Sequence, residues 1–318
     1  LDHRFLLGEG PVYDEERHML RFLDINRKQM HFVDLEKGPS SLCTVETETL
    51  IGVTADIEGS RDFIATGKHG FAILDHSTGK VEFVGRVFDK DGPEKAHRCA
   101  PCLSKLLKLI LKLCSFGAIR MRMNDGAVDC RGRLWSGSMN DTLIIDAKDI
   151  KPEGSLWRFD PDGSAHEMLV GGIQVPNGIG WNGKNDLMYF TDSWTKEIYA
   201  FDFDAETGSI SSKRVFYKAP ADEPGVPDGL VVDEEDCVWS AMFFGGKLLR
   251  ISPAGEVLAE ITFPCPLPTC PVFVGTDLFV TTASHREKTP TRYGGCLFRV
   301  DVGVRGQPVY KFRWDKKN

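Results

Sequence analysis

A phrase that returns six times constrains the fold of this chain more than any other feature. It is a short alternating apolar run closed by Asp or Ser, with a glycine turn beside it. Copies lie at Met30–Asp34, Gly70–Asp75, Ser155–Asp160, Ile198–Asp202, Lys247–Ser252 and Gly295–Asp301. Period-two alternation followed by turn residues specifies a strand and a turn, not a helix. Before each copy stands a second phrase, a strand, a polar turn and another strand. Gly126 to Ser136 and Gly229 to Ser240 show it most clearly, and in both a Trp follows an Asp by six residues (Asp129 and Trp135, Asp233 and Trp239). Equivalent stretches start near Gly10, Val53, Gly178 and Cys270.

The closing positions 160, 202, 252 and 301 are 42, 50 and 49 residues apart. Propeller blades of four strands repeat at about 40–45 residues in the WD type, and these units are slightly longer. Six such sheets set radially around a channel leave few exposed edges. The expected fold is all-β, a six-bladed β-propeller of four-stranded blades, forming one domain over residues 1–318. Two separate sandwiches would not produce so regular a spacing.

Composition narrows the partners. The chain has 318 residues and a formal net charge of −7. That balance argues against nucleic acid, whose phosphates call for a basic footprint. The longest apolar run, Leu103 to Leu113, is broken by Lys105, Lys108 and Lys112 and is too short for a membrane span of about 20 residues. Nine cysteines, scattered apart from Cys99 and Cys102, suit reduced thiols and a cytoplasmic setting better than a disulfide framework. The chain begins at Leu1, eight residues before Glu9, so a leader and a strand ahead of Glu9 are expected to lie upstream.

The chemistry gathers at one repeated slot, just before the first strand of a unit. Four of the six units carry an oxygen-bearing side chain there: Glu9, Asn124, Asn177 and Asp228. Five residues on from Glu9, Asn124 and Asp228 stand Asp14, Asp129 and Asp233, so the register is shared. The first strand of a blade lies nearest the axis, and equivalent slots converge at one mouth of the channel. One Glu, two Asn and one Asp form an oxygen-only set with two negative charges, which suits a hard divalent cation. Calcium is the first choice, with zinc, manganese and magnesium as alternatives. Each Pro-Asn-Gly or Pro-Asp-Gly alone is an ordinary turn; the common register is what points to a ligand.

With these motifs in view, the chain resembles the gluconolactonase, regucalcin and senescence-marker protein family. The matching pieces are Gly8-Glu9-Gly10-Pro11, Arg122-Met-Asn124-Asp-Gly126, Pro176-Asn177-Gly178 and Pro227-Asp228-Gly229, in that order, supported by Asp192-Ser193 and Gly245-Gly246. The resemblance implies a six-bladed propeller with one axial divalent cation held by Glu9, Asn177 and Asp228. It implies that Arg122 and Asn124 contact a small-molecule sugar lactone. The reaction expected is opening of an aldonolactone by water, with Asp228 as general base and Arg122 holding hydroxyls or the nascent carboxylate. Diisopropylfluorophosphatases share a similar propeller and calcium site, so an ester hydrolase stays open. So does a calcium-binding protein without physiological hydrolysis. A protein-interaction platform would not need four ligand-type residues on its axis.

Other signals are weaker. Residues 98–119 break the repeat, because Asp75 to Asp160 spans 85 residues where one blade is expected. Leu103 to Leu113 reads as an amphipathic helix that forms a lid, or the segment is translated intron sequence. His97, Cys99, Cys102 and Cys114 offer only one close pair, short of a structural zinc pattern. Asp89 to Gly92 and Asp160 to Gly163 lack the distal Glu of a calcium loop and are expected to be turns. No Gly-x-Ser-x-Gly elbow is present, which argues against a serine esterase.

Overall fold

The computed structural model describes residues 3–88 and 120–315. The irregular segment and its candidate helix at Leu103 to Leu113 lie outside them, as do His97, Cys99, Cys102, Cys114 and the Asp89 turn. The first sheet is β1 (Gly8–Asp14), β2 (Met19–Asp24), β3 (Gln29–Asp34) and β4 (Cys43–Glu46). The second is β5 (Ile51–Asp56), β6 (Phe63–Gly67), β7 (Gly70–Leu74) and β8 (Val81–Arg86). The third runs β9 (Met121–Val128), β10 (Leu134–Asn140), β11 (Gly154–Phe159) and β12 (Ala165–Ile173). The fourth holds β13 (Pro176–Trp181), β14 (Leu187–Asp192), β15 (Glu197–Asp204) and β16 (Ser209–Lys218). The fifth holds β17 (Val226–Val232), β18 (Val238–Phe243), β19 (Lys247–Ile251) and β20 (Val257–Thr262). The sixth has three strands among the described residues, β21 (Pro268–Val274), β22 (Asp277–Thr282) and β23 (Phe298–Asp301).

Every sheet is an antiparallel meander in chain order, and the six form the β-propeller that the repeats imply. The second phrase of each repeat is the two inner strands, and the apolar phrase is the third. Apolar clusters fill all six gaps between neighbouring blades. Leu23 and Ile51 meet between blades one and two, and Phe71 and Phe159 stack between two and three. Trp135 meets Trp181 between three and four, and Tyr189 shares a cluster with Leu249 between four and five. Trp239 packs with Val280 between five and six. Phe22 and Val272 close the ring between one and six, with Phe5 beside them.

Two chain ends brace this ring. The segment around Phe5 to Leu7 runs against the sixth blade, with Phe5 N–H donating to Gly295 O and Leu7 bridging Ala283. The C-terminal stretch crosses the opposite mouth of the channel from blade to blade. Gln307 N–H donates to Val232 O, Asn185 donates to the Tyr310 hydroxyl, and Phe312 N–H donates to Asp56 O. Phe312 is fully buried against Phe159 and Trp314.

One distortion recurs in every innermost strand. Pairing with the second strand slips after Glu9, after Ile51, opposite Asn124 and Asp125, and after Pro176, Pro227 and Pro268. Such β-bulges kink a strand and re-aim its side chains. Here they stand at the repeated slot, which holds Glu9, Ile51, Asn124, Asn177, Asp228 and Thr269. Glycine follows the slot in four blades; in three of them neighbouring strands crowd it, so that a Cβ on Gly52 would lie 2.3 Å from Asn124 O and one on Gly178 2.3 Å from Leu230 N, while Gly10 has the left-handed φ of +52°. In the other two blades the follower is Asp125 or Cys270.

Candidate functional site

The bulges bring Glu9, Asn124, Asn177 and Asp228 to a single pocket of about 70 Å³ at one mouth of the channel, and Arg122 joins them. All five residues are at most 9% exposed. The two followers turn the other way, into the channel beneath, whose cavity of about 180 Å³ has mostly apolar walls. The chemistry therefore sits in the smaller space and the larger one is its floor.

Local hydrogen bonds fix the ligand-bearing strands. The Asp24 carboxylate accepts from Leu6 and Leu7 N–H at 2.8 and 3.2 Å, just ahead of Glu9. Asp192 does the same for Gln174 and Val175 N–H at 3.1 and 3.0 Å, just ahead of Asn177. Asn177 Nδ2 donates to Ser193 Oγ at 2.7 Å, which sets its amide orientation. Asn124 is fully engaged: its Nδ2 donates to Pro176 O at 2.7 Å and to Asn177 Oδ1 at 2.9 Å, while its Oδ1 accepts from Arg122 Nη1 at 2.7 Å. Arg122 also donates to Met123 O at 3.0 Å and lies 3.9 Å from Asp141. Asp141 is itself paired with Lys68.

Against this network the two carboxylates are bare. Among the described residues Glu9 accepts only the N–H of Gly10, at 3.2 Å. Among the described residues the Asp228 carboxylate makes no hydrogen bond, and neither acid has an ion pair within 4 Å. Burial, then repulsion from Asp228 and Asp125, holds the Glu9 carboxyl well above its usual range. Burial and Asp125 do the same to Asp228, with Arg286 opposing. Burial pushes Asp125 up to about 6. A divalent cation between these groups would relieve both the desolvation and the repulsion, so the donor set fits such an ion. Glu9, Asn177 and Asp228 can offer it oxygen. Burial and the nearby acids hold the Cys270 thiol protonated, which leaves the set free of thiolate.

The sequence missed several members of this pocket. Trp194 and Phe243 give apolar wall, and His285 and Arg286 enter from the loop between β22 and β23. That loop lies outside the repeat register, so no spacing marked it. A second cluster, Asp62, Asp75 and His76, brings ligand-type atoms within 4.8 Å of one another far from the axis. There the Asp75 carboxylate already accepts Ser77 N–H, Thr78 N–H and the Ser77 hydroxyl in a turn. The Asp160 stretch is also a turn, closed by Gly163 N–H to Asp160 O and clasped by Arg158.

A family model described as the SMP-30/Gluconolactonase/LRE-like region matches residues 7–284. Pentonolactonase XacC of Haloferax volcanii is 30% identical, over 96% of this chain and 94% of that one. Regucalcin of Danio rerio is also 30% identical over the same shares. The solved structure of a luciferin-regenerating enzyme is 26% identical with a TM-score of 0.79, covering 98% of this chain and 96% of that one.

Proposed function

The chain belongs to the SMP-30/Gluconolactonase/LRE-like family, and from that premise we propose that it is a sugar lactone hydrolase working with one divalent cation. Glu9, Asn177 and Asp228 would hold the ion. The observation that carries this is the pair of buried carboxylates, Glu9 and Asp228, without an ion pair among the described residues where an oriented amide oxygen joins them. When bound, the cation supplies Lewis-acid polarisation of the lactone carbonyl and charge to offset the oxyanion.

The rest of the chemistry belongs to the chain. Asp228 carries no competing hydrogen bond, so its carboxylate can accept a proton from the attacking water. The same group then returns that proton to the ring oxygen as the ester bond breaks, leaving an open hydroxy acid. Arg122 is pinned through one Nη to Asn124 and Met123, which leaves donors of its fork for sugar hydroxyls or the new carboxylate. Asn124 fixes both neighbours, holding Arg122 by its oxygen and Asn177 by its nitrogen. Trp194 and Phe243 give the pocket an apolar wall against which the substrate can pack. Calcium suits an all-oxygen set of irregular geometry best, and magnesium, manganese and zinc compete for it.

The test is hydrolysis of an aldonolactone panel, beginning with glucono-1,5-lactone, after chelation and return of single divalent ions. Activity that disappears with chelator and returns with one ion is the expected result. Folded, metal-loaded protein that opens no lactone would overturn the hydrolase assignment and leave cation binding as the function.

A further inference from the structure

We infer that the pocket is built for a lactone carrying a second, anionic group, and that Arg286 recognises it. The inference rests on the lactone-hydrolase reading for the reaction, but its charge argument is independent. Arg286 lines the same pocket as Glu9, Arg122 and Asp228, half-buried in the loop after β22. Among the described residues its guanidinium makes no hydrogen bond and no ion pair. The neighbouring acid does not serve it, because Glu287 already takes Arg4 at 3.3 Å and the Thr291 hydroxyl and N–H. His285 bonds Leu6 O and is held toward its neutral form by burial.

Charge around the pocket sharpens the point. Two acids, Glu9 and Asp228, and two arginines, Arg122 and Arg286, line the pocket. Asp228 is the acid whose field reaches Arg286. A divalent ion on Glu9 and Asp228 would cancel that field and leave a half-buried guanidinium unpaired beside the apolar walls of Trp194 and Phe243. Such a fork pairs bidentately with carboxylate or phosphate. A neutral sugar lactone offers it only hydroxyls. The substrate class assigned is therefore an anionic sugar lactone, one that carries a carboxylate or a phosphate besides the reacting ester.

Lactone pairs of equal ring size that differ at C6 separate the cases: glucaro-1,4-lactone against glucono-1,4-lactone, and 6-phosphoglucono-1,5-lactone against glucono-1,5-lactone. Metal-loaded protein should favour one anionic lactone over its neutral partner of the same ring size by at least tenfold in kcat/KM, and which one names the anion. In Arg286→Met that ratio should fall at least tenfold, and Arg286→Lys should recover part of it. Calorimetry with the ring-opened acids reads binding without turnover: gluconate should bind at least tenfold more weakly than the favoured ligand, glucarate or 6-phosphogluconate, and Arg286→Met should erase the gap. An anionic-to-neutral ratio that is unchanged in folded Arg286→Met overturns the inference. Absence of turnover on all four lactones, with an Arg286-dependent calorimetric gap, overturns the hydrolase reading and keeps the anion site. Neither turnover nor a binding gap overturns both.

Discussion

The two ends of strand β17 treat a buried carboxylate in opposite ways. At one end Asp228 is 5% exposed and accepts no hydrogen bond among the described residues. Five residues on, Asp233 is fully buried and saturated: it accepts from Glu235 and Cys237 N–H, from the Trp239 indole at 2.9 Å and from Arg250 Nε at 2.9 Å. Strand β9 repeats the far-end pattern, with Asp129 accepting from Arg131 and Arg133 N–H, Arg133 Nε and the Trp135 indole. Burial alone therefore does not mark a functional acid in this molecule. An acid with its full set of donors holds a turn in place, and an acid stripped of donors waits for a ligand.

That contrast is broken most directly by exchanging charge for amide at each end. Asp228→Asn should lower kcat/KM on a responsive lactone by about 10²–10⁴-fold, the usual contribution of a general base. Its metal-free fold should be as stable as the parent or more so, since a buried, repelled charge has gone. Kinetics with metal titration, set beside urea melts of chelated protein, read both effects. Full activity with normal metal content would remove Asp228 as the base. A large loss of stability would mean that Asp228, like Asp233, is structural.

At the saturated end the signs reverse. Asp233→Ala leaves Arg250 and the Trp239 indole without their acceptor, and breaking a buried pair of this kind costs about 3–5 kcal/mol. Activity per folded molecule should stay within a few fold, because the pocket lies at the other mouth of the channel. A folded but inactive Asp233→Ala protein would show that the two ends are coupled.

The same comparison explains what the sequence could reveal. The blade count and the slot residues Glu9, Asn124, Asn177 and Asp228 were legible because alternation and register repeat. The Trp that trails Asp by six residues was visible as a spacing, and the indole-to-carboxylate bond accounts for it. The outermost strands left little trace: β16 and β20 are largely exposed on an open edge, so no apolar phrase is imposed on them. Arg286 was invisible because its loop obeys no repeat. The direction of Asp125 and Cys270 was hidden for another reason. Strict alternation puts neighbours on opposite faces of a sheet, whereas the bulge sends one residue to the pocket and the next down the channel.

Asp125 is the intermediate case and gives the finest test. It is 8% exposed, faces the channel cavity and keeps one short bond, from Gly126 N–H at 2.7 Å. Burial raises its pKa to about 6, so between roughly pH 4 and 6 the native state holds a proton that the unfolded chain has released. Stability from this group therefore falls as pH rises through that window and stays low above it. A shift of about two units corresponds to roughly 3 kcal/mol at most. Asp125→Asn keeps the shape and removes the charge, so metal-free variant should exceed metal-free parent in stability by up to about 3 kcal/mol near pH 7.5 and by about 1 kcal/mol near pH 4.5. Urea melts at the two pH values measure the difference. A gap that does not narrow toward acid would show that Asp125 is already satisfied, as Asp233 is, and that its place in the channel floor carries no electrostatic strain. A gap that narrows in chelated protein and vanishes when calcium is restored would show that the acid floor and the proposed cation site above it form one electrostatic unit.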